Sequence, residues 1–524
     1  MNQPNNLLPL IRAHRAELIR PGVISIRPGY KIEAGWPTQT PAIVVTISQA
    51  AQVALPQMIE GVAVDARRAT DVEELRFRQP QTFAQLAAHG CEFRDGAFEE
   101  IGVNTAGAEV TPDDGRPMVD LFAAKPQIPY TAPTGVSLSP VSGRFPITCH
   151  VSPDAGFPTL RSFLKKTSKT LTVGIYDFTS KHILDAVTND LLGKQQLEIT
   201  LDNPAKNPTA DQTDPETRQA LSASLGTEFK FAWALVRSNS AVSKWIYPTA
   251  YHIKVAVRDS EAMWLSSGNW NNSNQPDMDP INSPMASDQA TARKSDRDWH
   301  VIVEHPGLAK TYEAFLKHDF DVATSQVGGG PVLQAIEPEV DVPAMFLATA
   351  TASFVFHPPL RIVDELITIT PLLTPDVGVY QNAMLKLIRS AATSLYIQLQ
   401  YIHPSNVGAD ADFTALIDAV VERIHVGKDV RIIVSQWQLS NGWLDRLQAA
   451  GIDLRVVKIQ NGVHNKGFVV DSGIVALGSQ NWSSEGVLRN RDASLIIENP
   501  TAASYFQKIF LHDWDRIAKQ SVHP

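Results

Sequence analysis

The alternation of apolar and polar positions predicts a small unit at the start of the chain. Two runs rich in β-branched residues, at residues 22–32 and 41–48, predict short strands on either side of a turn-forming segment. A third apolar run follows, and no cluster of acids and bases accompanies it. We therefore predict that residues 1–70 form a small accessory domain of the α/β or α+β class.

Regular patterning is lost between residues 71 and 150. Acidic residues cluster near residues 92–100, which is typical of a solvated surface. Seven prolines then fall between residues 112 and 146, and such spacing interrupts helices and strands alike. This segment is predicted to be an irregular, proline-rich linker region.

From residue 151 onward the pattern becomes regular and is written twice. The order helix, buried strand, helix, strand begins near residue 160 and returns after residue 380. We predict a first lobe over residues 151–327, a glycine- and proline-containing bridge over 328–345, and a second lobe over 346–524. The repeat is too long for a solenoid. It predicts an internal duplication, in which two similar α/β sandwich lobes pack on one another.

Each repeat contains the same set of polar residues. A His-x-Lys pair is followed by an Asp five residues after the Lys and by an Asn ten residues after that Asp. The second motif and its Asn both lie 212 residues after the first motif and its Asn, and such a repeat is not a chance match. The two sets are His252, Lys254, Asp259 and Asn269, and His464, Lys466, Asp471 and Asn481.

The spacing predicts that these side chains converge. Side chains at positions i and i+2 of a strand point to the same face, so His252 is expected beside Lys254, and His464 beside Lys466. Each Asn follows the next strand, where its amide can face the same pocket. If the two lobes pack through these faces, two imidazoles, two ammonium groups and two carboxamides meet. That arrangement suits a phosphodiester anion.

These residue types also specify a chemistry. A neutral imidazole can attack phosphorus and form a covalent phosphohistidine. The second imidazole, when protonated, gives its proton to the leaving alcohol and later activates water or an acceptor alcohol. The lysines and asparagines stabilise the charge on the non-bridging oxygens. Two imidazoles near one anion are driven to different protonation states, because two like charges oppose each other.

The paired motifs resemble those of the phospholipase D superfamily over roughly residues 150–520. The resemblance implies a bilobal α/β fold with one shared site at the lobe interface, and it implies no metal and no other cofactor. It also implies carboxylates that orient the histidines through the second ring nitrogen. Asp298 and Asp492 are the candidates, although family members more often have Glu at this position. The symmetry of the two copies leaves open which histidine is the nucleophile, and analogy with the family favours His252.

The remaining motif residues are interpreted as structural. Asp259 and Asp471 lie an odd number of residues beyond the lysines, so they point away from the lysine face and are expected to bind turn amides. Ser267 and Ser479 precede the two asparagines. The first copy departs from the second here, since residues 266–269 read Ser-Ser-Gly-Asn and residues 478–481 read Gly-Ser-Gln-Asn.

Three further interpretations concern the surroundings of the motifs. Tyr176 and Tyr401 are predicted to end corresponding strands near the pocket. His318 and His512 recur at the ends of helices and are interpreted as structural. The polar insert at residues 271–294, which the second copy lacks, is predicted to be a surface loop or a lid over the site.

Composition limits the possible settings of this chemistry. The chain has 524 residues, of which 44% are apolar and 19% charged, and no apolar run is long enough to span a membrane. Its two cysteines are too few for a disulfide framework or a cysteine-based zinc site. The N-terminus lacks the order of a signal peptide, which favours a cytoplasmic location. The net charge of −9 disfavours nucleic-acid binding but leaves room for a local basic channel.

The sequence therefore leaves three functions open. The first is hydrolysis or transphosphatidylation of phospholipids, with transient contact to a membrane surface. The second is a nuclease cutting DNA or RNA, which the Ser-Ser after Asn481-Trp482 favours. The third is a non-catalytic binding or scaffold protein that acts through the N-terminal domain. The sequence makes no prediction about the oligomeric state.

Overall fold

The computed structural model of the protein contains an N-terminal sheet and two lobes. The residues that it describes are 7–33, 36–48, 51–69, 130–191, 195–202, 211–237, 243–245, 250–325, 354–404, 410–439 and 443–520. The predicted bridge at 328–345 and most of the predicted linker, up to residue 129, lie outside these described residues.

The N-terminal unit is a four-stranded sheet with two short helices. Its elements are α1 (Leu8–Ala13), α2 (Arg15–Leu18), β1 (Val23–Glu33), β2 (Trp36–Ile47), β3 (Met58–Ile59) and β4 (Val62–Arg68). The strand order is β1-β2-β4-β3; β2 and β4 run parallel and the other neighbours antiparallel. The prediction of a long turn between the first two strands is wrong, because β2 already begins at Trp36.

The first lobe alternates helices with strands, as the sequence pattern predicts. Its elements are β5 (Val141–Arg144), β6 (Ile147–Ser152), α3 (Gly156–Lys165), β7 (Thr170–Ile175), α4 (Lys181–Asp190), β8 (Gln196–Leu201), α5 (Asp214–Leu225), β9 (Phe229–Trp233), β10 (Leu235–Arg237), β11 (Ser243–Trp245), β12 (Lys254–Arg258), β13 (Ala262–Ser266), α6 (Asp288–Ala292), β14 (Asp298–Val303) and α7 (Pro306–Ser325).

The second lobe repeats this order. Its elements are β15 (Leu360–Ile362), β16 (Leu366–Thr374), α8 (Val379–Ser390), β17 (Ser394–Leu399), α9 (Ala411–His425), β18 (Asp429–Val434), α10 (Trp443–Ala449), β19 (Val457–Ile459), β20 (Lys466–Val470), β21 (Ile474–Gly478), α11 (Ser484–Leu488), β22 (Asp492–Glu498), α12 (Pro500–His512) and β23 (Lys519–Gln520).

Each lobe is built on one mixed sheet, and the two sheets have the same central order. The first is β15-β6-β14-β13-β12-β7-β8-β9, and the second is β23-β19-β18-β17-β20-β21-β22-β16-β5. In both, two antiparallel hairpin strands carry the motif, followed by strands that run parallel to one another. The predicted α/β fold with an internal duplication is confirmed.

The lobes exchange edge strands, which shifts their boundaries from the predicted ones. β6 begins at Ile147, so the predicted start at residue 151 falls inside a strand of the first sheet. The preceding strand β5 joins the second sheet by pairing with β16, and β15 joins the first sheet by pairing with β6. The predicted start of the second lobe at residue 346 therefore precedes a strand that belongs to the first.

A shared apolar core fills the space between the two sheets. α7 and α12 lie in it, while α3, α4 and α5 cover the outer face of the first sheet and α8 and α9 that of the second. The ring of Trp299 lies 4.7 Å from that of Phe506, and both are fully buried. Each such side chain stabilises the fold by roughly 1.5–3 kcal/mol. Among the helices described, none has the length and apolar character needed to cross a membrane.

Candidate active site

The two motif histidines lie just before a strand rather than within one. β12 and β20 begin only at the lysines, so the predicted common strand face does not extend to the histidines. The preceding segments are held instead by the opposite lobe: the His464 amide donates to the Arg297 carbonyl at 3.2 Å, and the Arg491 amide donates to the Ala250 carbonyl at 2.9 Å. The backbone of one lobe thus positions the histidine of the other.

Each histidine ring is bound by a carboxylate of the opposite lobe. His252 Nδ1 lies 2.8 Å from Asp492 Oδ1, and His464 Nδ1 lies 3.0 Å from Asp298 Oδ1. All four side chains are buried. Because these bonds use Nδ1, Nε2 is the ring nitrogen that can face a substrate; in His464 this Nε2 also lies within hydrogen-bond distance of Lys466 Nζ. The shorter reach of Asp, compared with Glu, is sufficient here.

The serine before each asparagine holds the same carboxylate. Ser267 donates to Asp298 Oδ1 at 2.6 Å, and Ser479 donates to Asp492 Oδ1 at 2.5 Å. These serines were predicted only as structural residues of the motif. Their hydroxyl groups fix the carboxylate that in turn fixes the histidine, so each lobe supplies a Ser–Asp pair to the histidine of the other.

The two lysines are buried beside the histidines. Lys254 Nζ donates to the His252 carbonyl at 2.6 Å. Lys466 Nζ lies 3.1 Å from His464 Nε2. Both lysine side chains are almost wholly removed from solvent, and a buried ammonium group is stabilised by an anion. The arrangement therefore provides positive charge where a phosphodiester would be bound.

The residue that follows the first parallel strand differs between the lobes. The Tyr176 ring packs edge-on against the His252 ring, with centroids 5.0 Å apart. The strand ends align Tyr176, directly after β7, with Gln400, directly after β17, which accepts a bond from the lysine of its own lobe at 3.4 Å. The predicted equivalence of Tyr176 and Tyr401 is wrong by one position.

The side-chain oxygens of the two motif asparagines are buried without a partner in the part of the chain that the structure describes. Asn269 and Asn481 follow β13 and β21 and are 1% and 9% exposed. Their Oδ1 atoms have no hydrogen-bond partner among the described residues. A buried amide oxygen without a partner costs free energy. A flip of the side-chain amide exchanges Oδ1 for Nδ2, and Nδ2 can donate to an anionic oxygen.

The two histidine–carboxylate pairs are electrostatically unequal. Burial raises the pKa of Asp492 to about 7. Burial acts in the same direction on Asp298, but His464 and Lys466 outweigh it and lower the pKa of Asp298 to about 2. Burial, and then the neighbouring lysines, lower the pKa of both histidines. At neutral pH the carboxylate on His464 is therefore ionised, whereas that on His252 is close to its titration midpoint.

Two arginines next to the orienting carboxylates join the lobes, a role the sequence analysis missed. Arg297 Nε donates to Asp513 Oδ2 at 2.9 Å, and Arg491 Nε donates to Asp319 Oδ2 at 2.9 Å. All four side chains are buried. The sequence contains a signal for this role. The Arg-Asp pairs at 297–298 and 491–492 and the His-Asp pairs at 318–319 and 512–513 recur at the same offset. The functional residues of the second set are the aspartates and not the histidines.

A third repeated feature also escaped the sequence analysis. Asp154 forms an ion pair with Arg297, and Asp376 Oδ2 lies 3.3 Å from Arg491 Nη1. Both aspartates follow a proline, in Ser152-Pro153-Asp154 and Thr374-Pro375-Asp376. Each guanidinium group thus lies between a carboxylate of its own lobe's sheet and one of the opposite lobe. A short Pro-Asp match was too weak a signal to find from the sequence.

The motif aspartates bind turn amides at the far ends of β12 and β20. Asp259 accepts from the amides of residues 168–170, at 2.6 Å for Lys169. Asp471 accepts from the amides of residues 392–394, at 2.7 Å for Thr393. Both have φ near +50°, which Asp and Asn tolerate better than other side chains. This geometry supports a structural role, and neither carboxylate contacts a motif histidine.

We expect Asp471→Asn to destabilise the protein at neutral pH and not in acid. The amide and hydroxyl bonds outweigh burial and lower the pKa of Asp471 to about 2. A depressed carboxyl pKa contributes stability above about pH 4, and that contribution is lost as the pH falls towards 2. After allowance for solvent screening we expect a loss of about 1 kcal/mol at pH 7.

The check is the urea midpoint of this variant and of wild type between pH 7 and pH 2.5. Asn tolerates positive φ, so the change isolates the charge. Asp418→Asn, at an exposed position of α9, is the matched control and is expected to have no effect. A deficit for Asp471→Asn that stays constant across this range would contradict the assignment.

Comparison with known proteins finds similarity to part of this chain. A family profile described as "Cardiolipin synthase, PLD-like domain" matches residues 384–514, which contain the second motif. A mitochondrial cardiolipin hydrolase of Chlamydomonas reinhardtii is 30% identical over 100 residues, 19% of this chain and 45% of that protein. A cardiolipin synthase of Geobacillus kaustophilus (strain HTA426) is 31% identical over 114 residues, 18% of this chain and 22% of that protein.

Among solved structures, phosphatidylserine synthase of Haemophilus influenzae Rd KW20 aligns with a TM-score of 0.47 and 15% identity, covering 71% of this chain and 87% of that one. By contrast, the chain matches less than half the length of the cardiolipin hydrolase and of the cardiolipin synthase.

Proposed function

We propose that this chain is a member of the phospholipase D superfamily and a phosphodiesterase that cleaves phospholipids through a covalent phosphohistidine. One observation carries the proposal: His252 and His464 are each bound through Nδ1 by a carboxylate of the opposite lobe, with a buried lysine beside each. This geometry supports a nucleophile and an acid–base group in one anion-binding pocket.

The electrostatic difference between the two pairs assigns the roles. Burial and Lys466 lower the pKa of His464, but the ionised Asp298 acts in the opposite direction and favours the protonated imidazole. We therefore infer that His464, held by Asp298, carries the proton once a phosphodiester anion is bound. The pKa of Asp492 near 7 supports a neutral imidazole at His252. His252 Nε2 then attacks phosphorus while His464 Nε2 gives its proton to the leaving alcohol. In the second step His464 accepts a proton from water, which displaces His252 from phosphorus.

The lysines and asparagines act on the phosphoryl oxygens. In both steps phosphorus passes through a five-coordinate arrangement with negative charge on its non-bridging oxygens. Lys254 and Lys466 neutralise this charge, and the amides of Asn269 and Asn481 donate hydrogen bonds to it. Removing one preorganised donor of this kind typically costs about 10²–10³ in turnover. An alcohol in place of water would give transfer instead of hydrolysis.

The substrate class rests on the relatives and on charge. The relatives' names refer to cardiolipin hydrolysis and synthesis. The net charge of −9 favours a lipid over a long polyanion. Among the described residues, no group of three or more His, Cys, Asp or Glu could hold a metal ion. The metal-free reaction stays a prediction, which a chelator tests directly.

We expect the full chain to release headgroups from mixed phospholipid vesicles in the presence of EDTA. The vesicles should contain phosphatidylcholine, phosphatidylethanolamine, phosphatidylglycerol and cardiolipin. The water-soluble headgroup and phosphatidic acid, the lipid product common to all four substrates, are measured over time. His464→Asn is expected to abolish the release, because the leaving alcohol then lacks its acid. No release from any vesicle, together with cleavage of single- or double-stranded nucleic acid, would replace the lipid substrate by the nuclease alternative.

A further inference from the structure

The loops that present the two catalytic asparagines are held by different means. In the first lobe Ser266 ends β13 and faces His300 of β14, its partner across the hairpin. In the second lobe the same two positions are occupied by Gly478 and Ser494. The middle serine of the loop is common to both. The two lobes therefore differ at both of these facing positions and not at one residue alone.

In the first lobe a hydroxyl group ties the loop to an imidazole. Ser266 Oγ accepts the Gly268 amide at 2.7 Å and contacts the Gly268 carbonyl at 3.0 Å. The same oxygen lies 2.6 Å from His300 Nδ1. On its other side, His300 Nε2 lies 2.9 Å from Ser152 Oγ. These side chains are fully buried.

The one hydrogen of a serine hydroxyl allows two directions for these bonds. Ser266 can donate it to the Gly268 carbonyl or to His300 Nδ1. We assign it to the Gly268 carbonyl, because the hydroxyl then keeps both of its bonds to the loop; His300 Nδ1 donates to Ser266 and Nε2 accepts from Ser152. A neutral imidazole in this tautomer satisfies both serine contacts. Burial also lowers the pKa of His300 to about 4, which keeps the ring neutral.

The first-lobe insert extends this chain of hydrogen bonds. Ser152 Oγ lies 3.4 Å from Gln275 Oε1. With the Ser152 proton assigned to His300, the Gln275 amide fits after a flip of its side-chain amide, which turns Nε2 towards Ser152; without the flip that Nε2 is buried and has no partner among the described residues. Asn274, from the same insert, accepts a hydrogen bond from the backbone N–H of Asn269 through its Oδ1, at 2.8 Å. The start of the insert is therefore a buried support rather than a surface loop.

The second lobe cannot use this device. A Cβ atom at Gly478 would lie 1.8 Å from Ser494 Oγ and 2.3 Å from the Ala493 carbonyl oxygen, so the opposite strand, including its backbone, excludes a serine there. Ser494 instead bonds to Gln480 of the loop, in the place of the first lobe's Gly268. The two lobes therefore fix the asparagine loop differently at the same point of the fold. The first uses Ser266 opposite His300, and the second uses Gly478 opposite Ser494.

We propose that His300 is a positioning residue, which holds the Asn269 amide in place through Ser266 and Gly268. The proposal rests on the proposed function, because Asn269 must act on a phosphodiester for its position to affect turnover. A displaced donor in a preorganised site reduces turnover without a matching effect on substrate binding. The support is needed in the first lobe only.

Two substitutions of His300 separate positioning from simple packing. The Nδ2 of an asparagine can take the place of His Nδ1, whereas the Nε2 of a glutamine reaches the place of His Nε2. His300→Asn is expected to keep kcat within about threefold, because it still donates to Ser266. His300→Gln is expected to lower kcat by about 10²-fold with little change in KM. Thermal midpoints measured alongside report any packing loss.

Ser266→Ala supplies an independent route to the same result. It leaves the imidazole in place and removes only the bridge, so kcat is expected to fall as in His300→Gln. The double variant is expected to be no slower than either single one, because both break the same connection. His150→Asn is the control: this ring stacks on His300 with centroids 4.7 Å apart and is equally buried.

The outcomes distinguish the inference from the function beneath it. Wild-type kcat in both His300→Gln and Ser266→Ala would overturn the positioning role, as would equal losses in His300→Asn and His300→Gln that follow their thermal midpoints. A wild-type chain that cleaves neither lipids nor other phosphodiesters would instead overturn the proposed function. His150→Asn should turn over substrate at the wild-type rate.

Discussion

His252→Asn and His464→Asn are each expected to lower phosphodiester turnover by at least about 10³-fold, and the double variant is expected to be no slower than the slower single one. The two imidazoles act on one phosphorus in the same two steps, so removing either stops the cycle. Residues that act as a unit show this lack of additivity. Steady-state rates of the three variants on one phosphodiester provide the measurement.

A substrate with a good leaving group distinguishes the two histidines. p-Nitrophenol needs no proton to leave, so His464→Asn should still release about one equivalent before it stalls as a phosphohistidine at His252. His252→Asn should release none. A burst from His252→Asn and none from His464→Asn would reverse the assigned roles. His318→Asn, on α7 with its Nε2 bound to a carbonyl at 2.7 Å, is the control and should leave turnover unchanged.

Arg297→Met is expected to lower the free energy of unfolding by about 3–5 kcal/mol at pH 7. The guanidinium group is 1% exposed and lies between Asp154 and Asp513. Methionine preserves much of its volume but leaves two carboxylates buried without their cation, and an uncompensated buried charge is far more costly than the pair was favourable. Urea denaturation at pH 7 provides the measurement.

The same variant has a characteristic pH dependence. Although burial acts to raise it, Arg297 lowers the pKa of Asp513 to about 2. A depressed pKa gives stability above about pH 4 that is lost as the pH falls towards 2, so the difference between wild type and Arg297→Met should shrink in acid. Asp185→Asn, which breaks the exposed pair with Lys181, is the control and should leave the midpoint unchanged. A deficit for Arg297→Met no larger than that of this control would contradict the buried role.

The paired motif could be recognised from the sequence because it depends on residue identity and spacing. His-x-Lys and the downstream Asn recur at one offset, so a site shared by the two copies could be predicted from the duplication alone. The bonds of Asp259 to turn amides likewise follow from local preferences. The histidines, however, lie before the strands and not in them, since a two-residue spacing is satisfied equally by a strand and by the extended segment leading into it.

The contacts between the lobes could not be predicted in this way. Periodicity tells which face of a strand is buried but not which lobe covers it, so the pairing of Asp298 with His464 carried no local signal. The short edge strands β5 and β15, with four and three residues, are too brief for a period to be read. Tyr401 shows a further limit: residue type suggested an equivalence that the strand register, shifted by one position, does not allow.

The crossed histidine–aspartate pairs also limit how far the two copies of the repeat can diverge in sequence. A duplicated segment is ordinarily free to diverge, since one copy can keep the activity while the other drifts. Here Asp492 serves His252 and Asp298 serves His464, so damage to either copy disables a residue encoded in the other. Neither copy can be lost without loss of the site. The copies can differ where a contact involves one copy alone, as in the loop that ends at Asn269. Where a contact joins the two copies, a change in one has to be matched in the other.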